Sequence, residues 1–547
     1  MSLPTSNTST APRIAVIGGG ISGLAAAHRI TELAPHAELA LFEASGRLGG
    51  ILDTATIDGF LVERSADNFL TKLAAAVDLC RRLGIAEELL PTDEWRRRAL
   101  VVRDGRLVPI PEGFYLMSPR KLGPLLASPI LSLAGKLRLL AEPLVPRRKP
   151  SPSGRHSSEP SPSGRGQVAA GDSPWRGDGT SGQGEGPDES VASFARRRLG
   201  REVFERLVQP LVAGMYTADP EKLSMAATMP DFLAHERELG SLLRRRRTGR
   251  FSDQSTIVAP STESPPDAAP DPANSASGAR YALFAAPQGG MKTLIDALAS
   301  RLPAGAIHLN APVSNIERQA DGQWRLSFET PAESSSPKPS PLRRPPSFDA
   351  LVVALPAHAA AKLLDSTDPT LGAELAAIEY AGCAVVSLGF ARGQIAHPLN
   401  AFGLVVPHVE NRRIVAASFA SLKFPGRAPD DHVLIRVFIG GALQPELAEL
   451  PDAELRQLAL EELADLLGIT GQPVMTDIAR WPRAMPQYHV GHLDRVARIE
   501  QLAASHPGLA LAGNAYHGVG IPQCITSGER AAERTAAVIK PLLSDNI

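Results

Sequence analysis

The chain is poor in cysteine: Cys80, Cys383 and Cys524 are the only three in 547 residues. So few, so widely spaced and odd in number, they suggest neither a disulfide framework nor a zinc site, and a reducing compartment fits them best. An excess of charge is lacking too. Lys and Arg number 57 against 58 Asp and Glu, a net charge of -1, which predicts no bulk attraction to nucleic acid or acidic lipid and makes any charge-based recognition local. No uninterrupted run reaches the roughly 18 apolar residues of a membrane-spanning helix. Residues 1–11 are rich in Ser and Thr, with neither the basic opening and apolar centre of a secretory signal nor the arginines of a transit peptide. They read as a disordered leader, and the expected location is the cytoplasm.

What is present is globular composition, 43% hydrophobic and 21% charged, in a chain long enough for two or three domains. Three stretches read as insertions. Residues 150–187 hold 23 Pro, Ser or Gly among 38, and Pro-Ser-Pro-Ser-Gly-Arg occurs at 150–155 and again at 160–165. Such a segment buries too little apolar surface to order itself. Residues 252–278 and 331–347 are similar, and all three are expected to stay mobile.

The most telling segment is Ile17-Gly18-Gly19-Gly20-Ile21-Ser22-Gly23. Before it, residues 13–17 form a β-rich run with nothing charged after Arg13; after it, residues 24–30 read as helix. Strand, tight turn and helix are the context a dinucleotide fingerprint needs. Gly18 allows the turn, Gly20 lets the backbone approach a pyrophosphate, Gly23 permits close packing, and amides at the helix start face the phosphates. Glu43 follows Gly23 by 20 residues, where a carboxylate accepts hydrogen bonds from ribose hydroxyls.

Directly after Glu43 comes Ala44-Ser45-Gly46-Arg47-Leu48-Gly49-Gly50. Arg47 can screen phosphate charge while Gly49 and Gly50 let the backbone run along the cofactor, a second glycine turn that a nicotinamide enzyme has no obvious use for. Near the other end, residues 509–513 read as a strand, then Gly513-Asn514-Ala515-Tyr516-His517-Gly518-Val519-Gly520-Ile521, then an alanine-rich helix over 528–539. The expected fold is α/β. A Rossmann-like nucleotide domain is assembled from both chain ends, beside a mixed-sheet α+β substrate domain and a helical subdomain. Its parts are 12–70, 281–330 and 481–540 for the nucleotide domain, 71–250 for the helical, substrate-facing region that contains 150–187, and 348–480 for the mixed sheet. In the last, 348–355 reads as a buried strand, with further strands at 385–390, 403–406, 413–419 and 433–439.

The block at 43–50 resembles the signature of the flavin-containing amine oxidase superfamily, and 511–521 resembles its closing motif. The resemblance implies FAD held extended and buried. Inner segments narrow it: Asp58-Gly59-Phe60-Leu61-Val62-Glu63-Arg64-Ser65-Ala66-Asp67-Asn68-Phe69, the stretch from Pro210 through Gly214 to Pro220, Gln288-Gly289-Gly290-Met291, Arg436 to Gly441, and Trp481 to Tyr488. In that order they are similar to the protoporphyrinogen oxidase family. One departure is visible, because family members usually carry Gly-Pro where this chain has Ser65-Ala66. The resemblance implies that Gly18, Gly19, Gly20, Ile21, Ser22, Gly23, Glu43, Ala44, Arg47, Gly49, Gly50, Ser65, Ala66, Asp67, Asn68, Val313, Gly513, Val519, Gly520 and Ile521 line the FAD.

The implied reaction oxidises protoporphyrinogen IX to protoporphyrin IX in heme synthesis by three two-electron transfers to FAD, with O2 consumed and H2O2 released. No residue of these motifs stands out as a general base, and none is assigned. A macrocycle carrying carboxylates on an apolar body calls for apolar walls and one or two arginines. Arg98, with Arg97 beside it, matches the register of the family's propionate-binding arginine. Gly214 lies in the segment that faces substrate, and Phe402 reads either as an aromatic packed on the macrocycle or as a core phenylalanine. His492 and His517 read as structural. The apolar stretch 116–146, broken by Arg120, Lys121, Lys136 and Arg138, reads as core helices or as a peripheral membrane contact. Handover of product to ferrochelatase and a homodimer are further partners compatible with the resemblance. The nearest rival is the same fold acting on coproporphyrinogen III, which has four carboxylates and would want a more basic pocket. Further off stand an amine oxidase, a carotenoid desaturase and a non-catalytic scaffold that binds FAD and porphyrin.

Overall fold

The computed structural model describes residues 11–93, 98–147, 188–244, 284–329 and 346–544. The insertions at 150–187 and 252–278, most of 331–347, most of the leader, and Arg97 lie outside them. Strand β1 (Arg13–Ile17) has four buried residues in a row, as a strand covered on both faces should. Helix α1 (Ile21–Leu33) leads back to β2 (Glu38–Phe42), parallel to β1. Next, β3 (Leu100–Arg103) and β4 (Arg106–Pro109) form a hairpin. Its turn residues Asp104 and Gly105 sit at φ 48° and 72°, the left-handed pair that matches hairpin twist.

Helices α2 (Leu133–Leu140), α3 (Val191–Leu199) and α4 (Gln209–Tyr216) belong to the helical portion. The Ser132 hydroxyl accepts from the Gly135 amide at the start of α2, and Ser190 accepts from Ser193 at the start of α3, both at 3.1 Å. Phe194, Leu199, Leu207 and Val212 share one core. Within that portion Arg198 and Glu142 form a fully buried ion pair. Arg198 also donates to the carbonyls of Val145 (3.0 Å) and Gly240 (2.7 Å), and Glu142 accepts from the Leu242 amide (2.9 Å). Those extra bonds offset the desolvation of both charges.

Helix α5 (Met291–Ser300) is followed by β5 (Ile307–His308), which pairs with β2. Strand β6 (Ala350–Val353) pairs in parallel with β1, Ile14 opposite Ala350 through Ile17 opposite Val353. Strands β7 (Tyr380–Ala391), β8 (Gly403–Val405), β9 (Ala416–Phe419), β10 (His432–Gly440) and β11 (Met475–Pro486) build a second sheet. Finally β12 (Leu509–Leu511) and α6 (Ile521–Ser544) return to the first. The first sheet runs β5-β2-β1-β6-β12 and the second β11-β7-β10-β9-β8-β3-β4.

Two of the expected boundaries move. The strand read as opening the substrate domain at 348 is instead central in the nucleotide sheet. Its residues alternate between layers, Ala350 and Val352 in one core with α1 and α6, Leu351 and Val353 in the other with Ala357 to Leu375. At the other end, β11 continues past residue 481 and stays paired with β7 as far as Pro486. The hairpin β3-β4, read within the helical region, closes the far edge of the second sheet through Leu404 opposite Leu100. The chain ends meet directly: a Cβ on Gly528 of α6 would lie 2.1 Å from the Ser22 carbonyl oxygen of α1, so a glycine is required at that crossing.

Candidate active site

The first glycine turn is set by close backbone contacts and closed by one carboxylate. Gly18 sits at φ 106°, where a Cβ would stand 2.4 Å from the Ala354 carbonyl, and a Cβ on Gly23 would lie 1.9 Å from the Gly18 carbonyl. Only glycine fits either position. The Gly19 amide donates to Glu43 Oε2 at 2.7 Å, and Glu43 Oε1 accepts from the Ser45 amide (2.8 Å) and hydroxyl (2.7 Å). The second turn lies against the first: the Gly49 amide donates to the Gly19 carbonyl at 2.8 Å, and Gly20 bridges Gly49. Ile21 and Ser22 open α1 buried, and no side chain caps that helix. Its first amides are therefore available to a phosphate.

Arg47 lies on this second turn, but its guanidinium is drawn onto the carbonyls of Leu48, Gly50 and Leu52 at 2.7–3.2 Å and faces Asp53 at 3.8 Å. It holds the turn in shape rather than projecting free charge. Ala44 is exposed beside Glu43. Asn310 and Ala311 donate their amides to the carbonyls of Ser45 and Glu43 (3.0 and 2.9 Å), which brings Val313 to the same end of the cradle. The closing motif arrives from the opposite side. Gly513, at φ 139°, donates its amide to Ser527 Oγ at 3.0 Å, and the Cys524 amide donates to the Gly520 carbonyl at 2.9 Å as α6 begins at Ile521. Tyr488 ties this motif down, its hydroxyl donating to the Asn514 carbonyl (2.5 Å) and accepting from the Gly518 amide (2.8 Å).

Residues 65–68 are fastened from below. Trp481 Nε1 donates to the Arg64 carbonyl at 2.7 Å, and Arg436 donates to the Ser65 carbonyl. Lys423 Nζ lies 3.1 Å from Asp67 Oδ1 and Arg436 Nη1 lies 3.3 Å from Asp67 Oδ2, while Asn68 donates to the same carboxylate. Burial alone would raise the Asp67 carboxyl, but the two cations outweigh it and hold it at about 2. Glu63, buried beneath, accepts from the Met291 amide and the Thr54 hydroxyl, both at 2.7 Å, and burial raises its carboxyl. The family resemblance flagged Asp67; Lys423 was missed, because a lysine in Ser421-Leu422-Lys423-Phe424 carries no motif.

The substrate candidates come together at β8. The Arg98 carbonyl accepts from the Phe402 amide (2.9 Å), Arg98 Nε donates to the Asn400 carbonyl (2.6 Å), and a Cβ on Gly214 of α4 would meet Val405 at 3.7 Å. Gly214 is exposed and Arg98 partly so. Phe402 is only 4% exposed, the burial of a core phenylalanine, so little of its ring is left to meet a ligand. Val519 packs on the same cluster as Val405, Met215 and Tyr216, which joins the closing motif to this region. Both histidines are engaged structurally. His492 stacks on Tyr488 at 3.8 Å and bonds the Tyr516 carbonyl at 3.1 Å, and burial lowers its pKa to about 4. His517 pairs with Glu500 at 2.7 Å.

The cradle fits a flavin dinucleotide. Two glycine turns face each other, an uncapped helix start stands beside them, and two buried polar atoms, Ser65 Oγ and Gln523 Oε1, lack a partner among the described residues. A ligand bearing donors and acceptors would complete both. Among the described residues no helix is long and apolar enough to cross a membrane.

Residues 21–536 match the family described as flavin containing amine oxidoreductase. The chain is 28% identical to the coproporphyrinogen III oxidase of Bacillus subtilis (strain 168), over 95% of its own length and 96% of that protein's. It is 27% identical to protoporphyrinogen oxidase 2, chloroplastic/mitochondrial, of Arabidopsis thaliana, over 97% and 95%. Among solved structures, a candidate protoporphyrinogen oxidase from Exiguobacterium sp. 255-15 superposes with a TM-score of 0.73 at 27% identity, covering 96% of this chain and 99% of that one.

Proposed function

The chain belongs to the flavin-containing amine oxidoreductase family and is an FAD-dependent oxidoreductase, and from that premise we propose that it oxidises a porphyrinogen to the flat porphyrin in heme synthesis. The observation that carries this reading is end-to-end similarity to porphyrinogen oxidases of both kinds, at 28% and 27% identity over at least 95% of this chain. FAD, when bound, accepts electrons in pairs, so the six hydrogens of a porphyrinogen correspond to three passes, each closed by O2 with release of H2O2.

The protein's own part is placement and exclusion of water. Gly19, Glu43 and the start of α1 hold the dinucleotide end, and residues 65–68 with 513–521 border the redox ring. Arg98 supplies a guanidinium for a substrate carboxylate. Gly214 leaves room for the macrocycle's edge, and Val405, Met215, Tyr216 and Val519 form the apolar wall. With His492 and His517 both engaged, the released protons go to solvent or to the macrocycle's own nitrogens.

Of the two porphyrinogens, protoporphyrinogen IX is the expectation from sequence, and coproporphyrinogen III is the better supported. The Bacillus subtilis relative carries that name, and the run Arg96-Arg97-Arg98 suits a substrate with four carboxylates. Purified FAD-loaded protein mixed with each porphyrinogen under air, reading porphyrin fluorescence and peroxide together, tests both readings. Porphyrin formed with peroxide is expected, with the higher kcat/KM on coproporphyrinogen III; FAD present without peroxide would leave a binding scaffold instead.

A peripheral membrane contact belongs to the same reading. Leu133 (74% exposed), Leu137 (59%), Leu140 (44%) and Leu144 (84%) recur at helical spacing along α2 and just beyond it, a stripe suited to an interface. Handover to ferrochelatase and a homodimer remain part of the proposal.

A further inference from the structure

Behind residues 65–68 lie three cations and two acids drawn from separate segments. Lys423 and Asp67 have side chains 13% exposed and Arg436 is 1% exposed; Arg427 donates to the carbonyls of Gln288 and Pro287 at 2.9 and 2.8 Å; Glu63 faces α5. Arg64 pairs with Asp53 (3.1 Å) and Asp477 (2.7 Å), and Asp53 also faces Arg47 at 3.8 Å, so that adjoining set of two cations and two acids adds no net charge. Glu63, held by an amide and a hydroxyl, has no cation within salt-bridge distance among the described residues, whereas Asp67 has two. We propose that Lys423 is a positioning residue which, with Arg436, anchors Asp67 and keeps a net positive potential beneath the flavin ring, favouring the reduced, more negative cofactor. This rests on the reading that residues 65–68 border that ring.

The physical basis is simple. In a site closed to water, fixed charges act with little screening, and a surplus cation stabilises whichever redox state carries more negative charge. A purely structural clamp would have no preferred sign. Removing Lys423 and removing the charge of Asp67 both break the clamp, yet they move the local charge in opposite directions.

The test is spectroelectrochemical titration of purified, FAD-loaded wild type, Lys423→Met, Lys423→Arg and Asp67→Asn, with flavin content read from visible absorbance. Lys423→Met is expected to lower the reduced-to-oxidised ratio at a fixed potential about tenfold, which is about 30 mV for a two-electron couple. Asp67→Asn is expected to raise that ratio, and Lys423→Arg to stay within about threefold of wild type. If Lys423→Met binds no FAD, the opposite displacement of Asp67→Asn and the wild-type value of Lys423→Arg still decide the matter. Unchanged potentials, or shifts of the same sign in the Met and Asn variants, would overturn the proposal. Wild-type protein that takes up no FAD would overturn the reading beneath it instead.

Discussion

Single residues carry the most direct consequences. Among the described residues the Arg98 guanidinium makes one hydrogen bond, to the Asn400 carbonyl. Arg98→Ala should raise KM for a porphyrinogen about tenfold or more, the worth of a charge-assisted hydrogen bond, with flavin content unchanged; steady-state kinetics beside a visible spectrum checks it. His492 is a second case. Burial lowers its pKa to about 4, so between the ordinary imidazole value near ~6.5 and 4 the unfolded chain takes a proton that the folded chain refuses. Stability is therefore lost as pH falls through that window. His492→Phe, which keeps the stack on Tyr488, should shrink the drop between pH 7 and 4.5 by about 2 kcal/mol in urea unfolding. The glycine turn was legible in sequence because the positive φ of Gly18 and its contact with Gly23 are local backbone demands, to which the Ala354 carbonyl across the sheet adds a second. The cluster around Asp67 was not, since its cations come from a distant segment, Lys423 lying 356 residues from Asp67.

Among the elements, the helical portion holds a buried charge cluster in which Glu142 and Glu236 share Arg198. Glu142→Ala would take one of two carboxylates from Arg198, leaving Glu236 at 3.3 Å, and strip the Leu242 amide of its acceptor; a loss of about 2–3 kcal/mol is expected, readable as a fall in denaturation midpoint. The exposed leucine stripe along α2 makes the opposite kind of prediction. Leu133→Ser with Leu137→Ser should leave the midpoint within about 0.5 kcal/mol, while binding to anionic liposomes in flotation falls severalfold. Element type was readable where burial leaves a pattern, as in β6, whose run of apolar residues announces a strand covered on both faces. Its sheet was not readable, because such a run specifies cover and not a partner. The same gap misplaced the edges near 348 and 481.

Taken whole, the proposed cofactor site draws on segments from both halves of the chain, with α1 and α6 crossing at Gly528. Ligand binding should therefore stabilise the entire nucleotide domain. At free FAD of about 100 times Kd, linkage gives about 2.7 kcal/mol; apoprotein should melt several degrees below the reconstituted form in scanning calorimetry, and truncation before Ile521 should abolish the difference.

The order of strands β5-β2-β1-β6-β12 also sets a timetable. Its first strand is translated at Arg13 and its last at Leu511, so at ~5–20 residues per second the nascent chain waits roughly 25 to 100 s with an open parallel edge. The edge of β1 is covered only once β6 is made, and the edge of β6 stays open until β12 follows. Heterologous yield should therefore respond to chaperone supply and to slower growth at low temperature more than to any substitution in the finished protein.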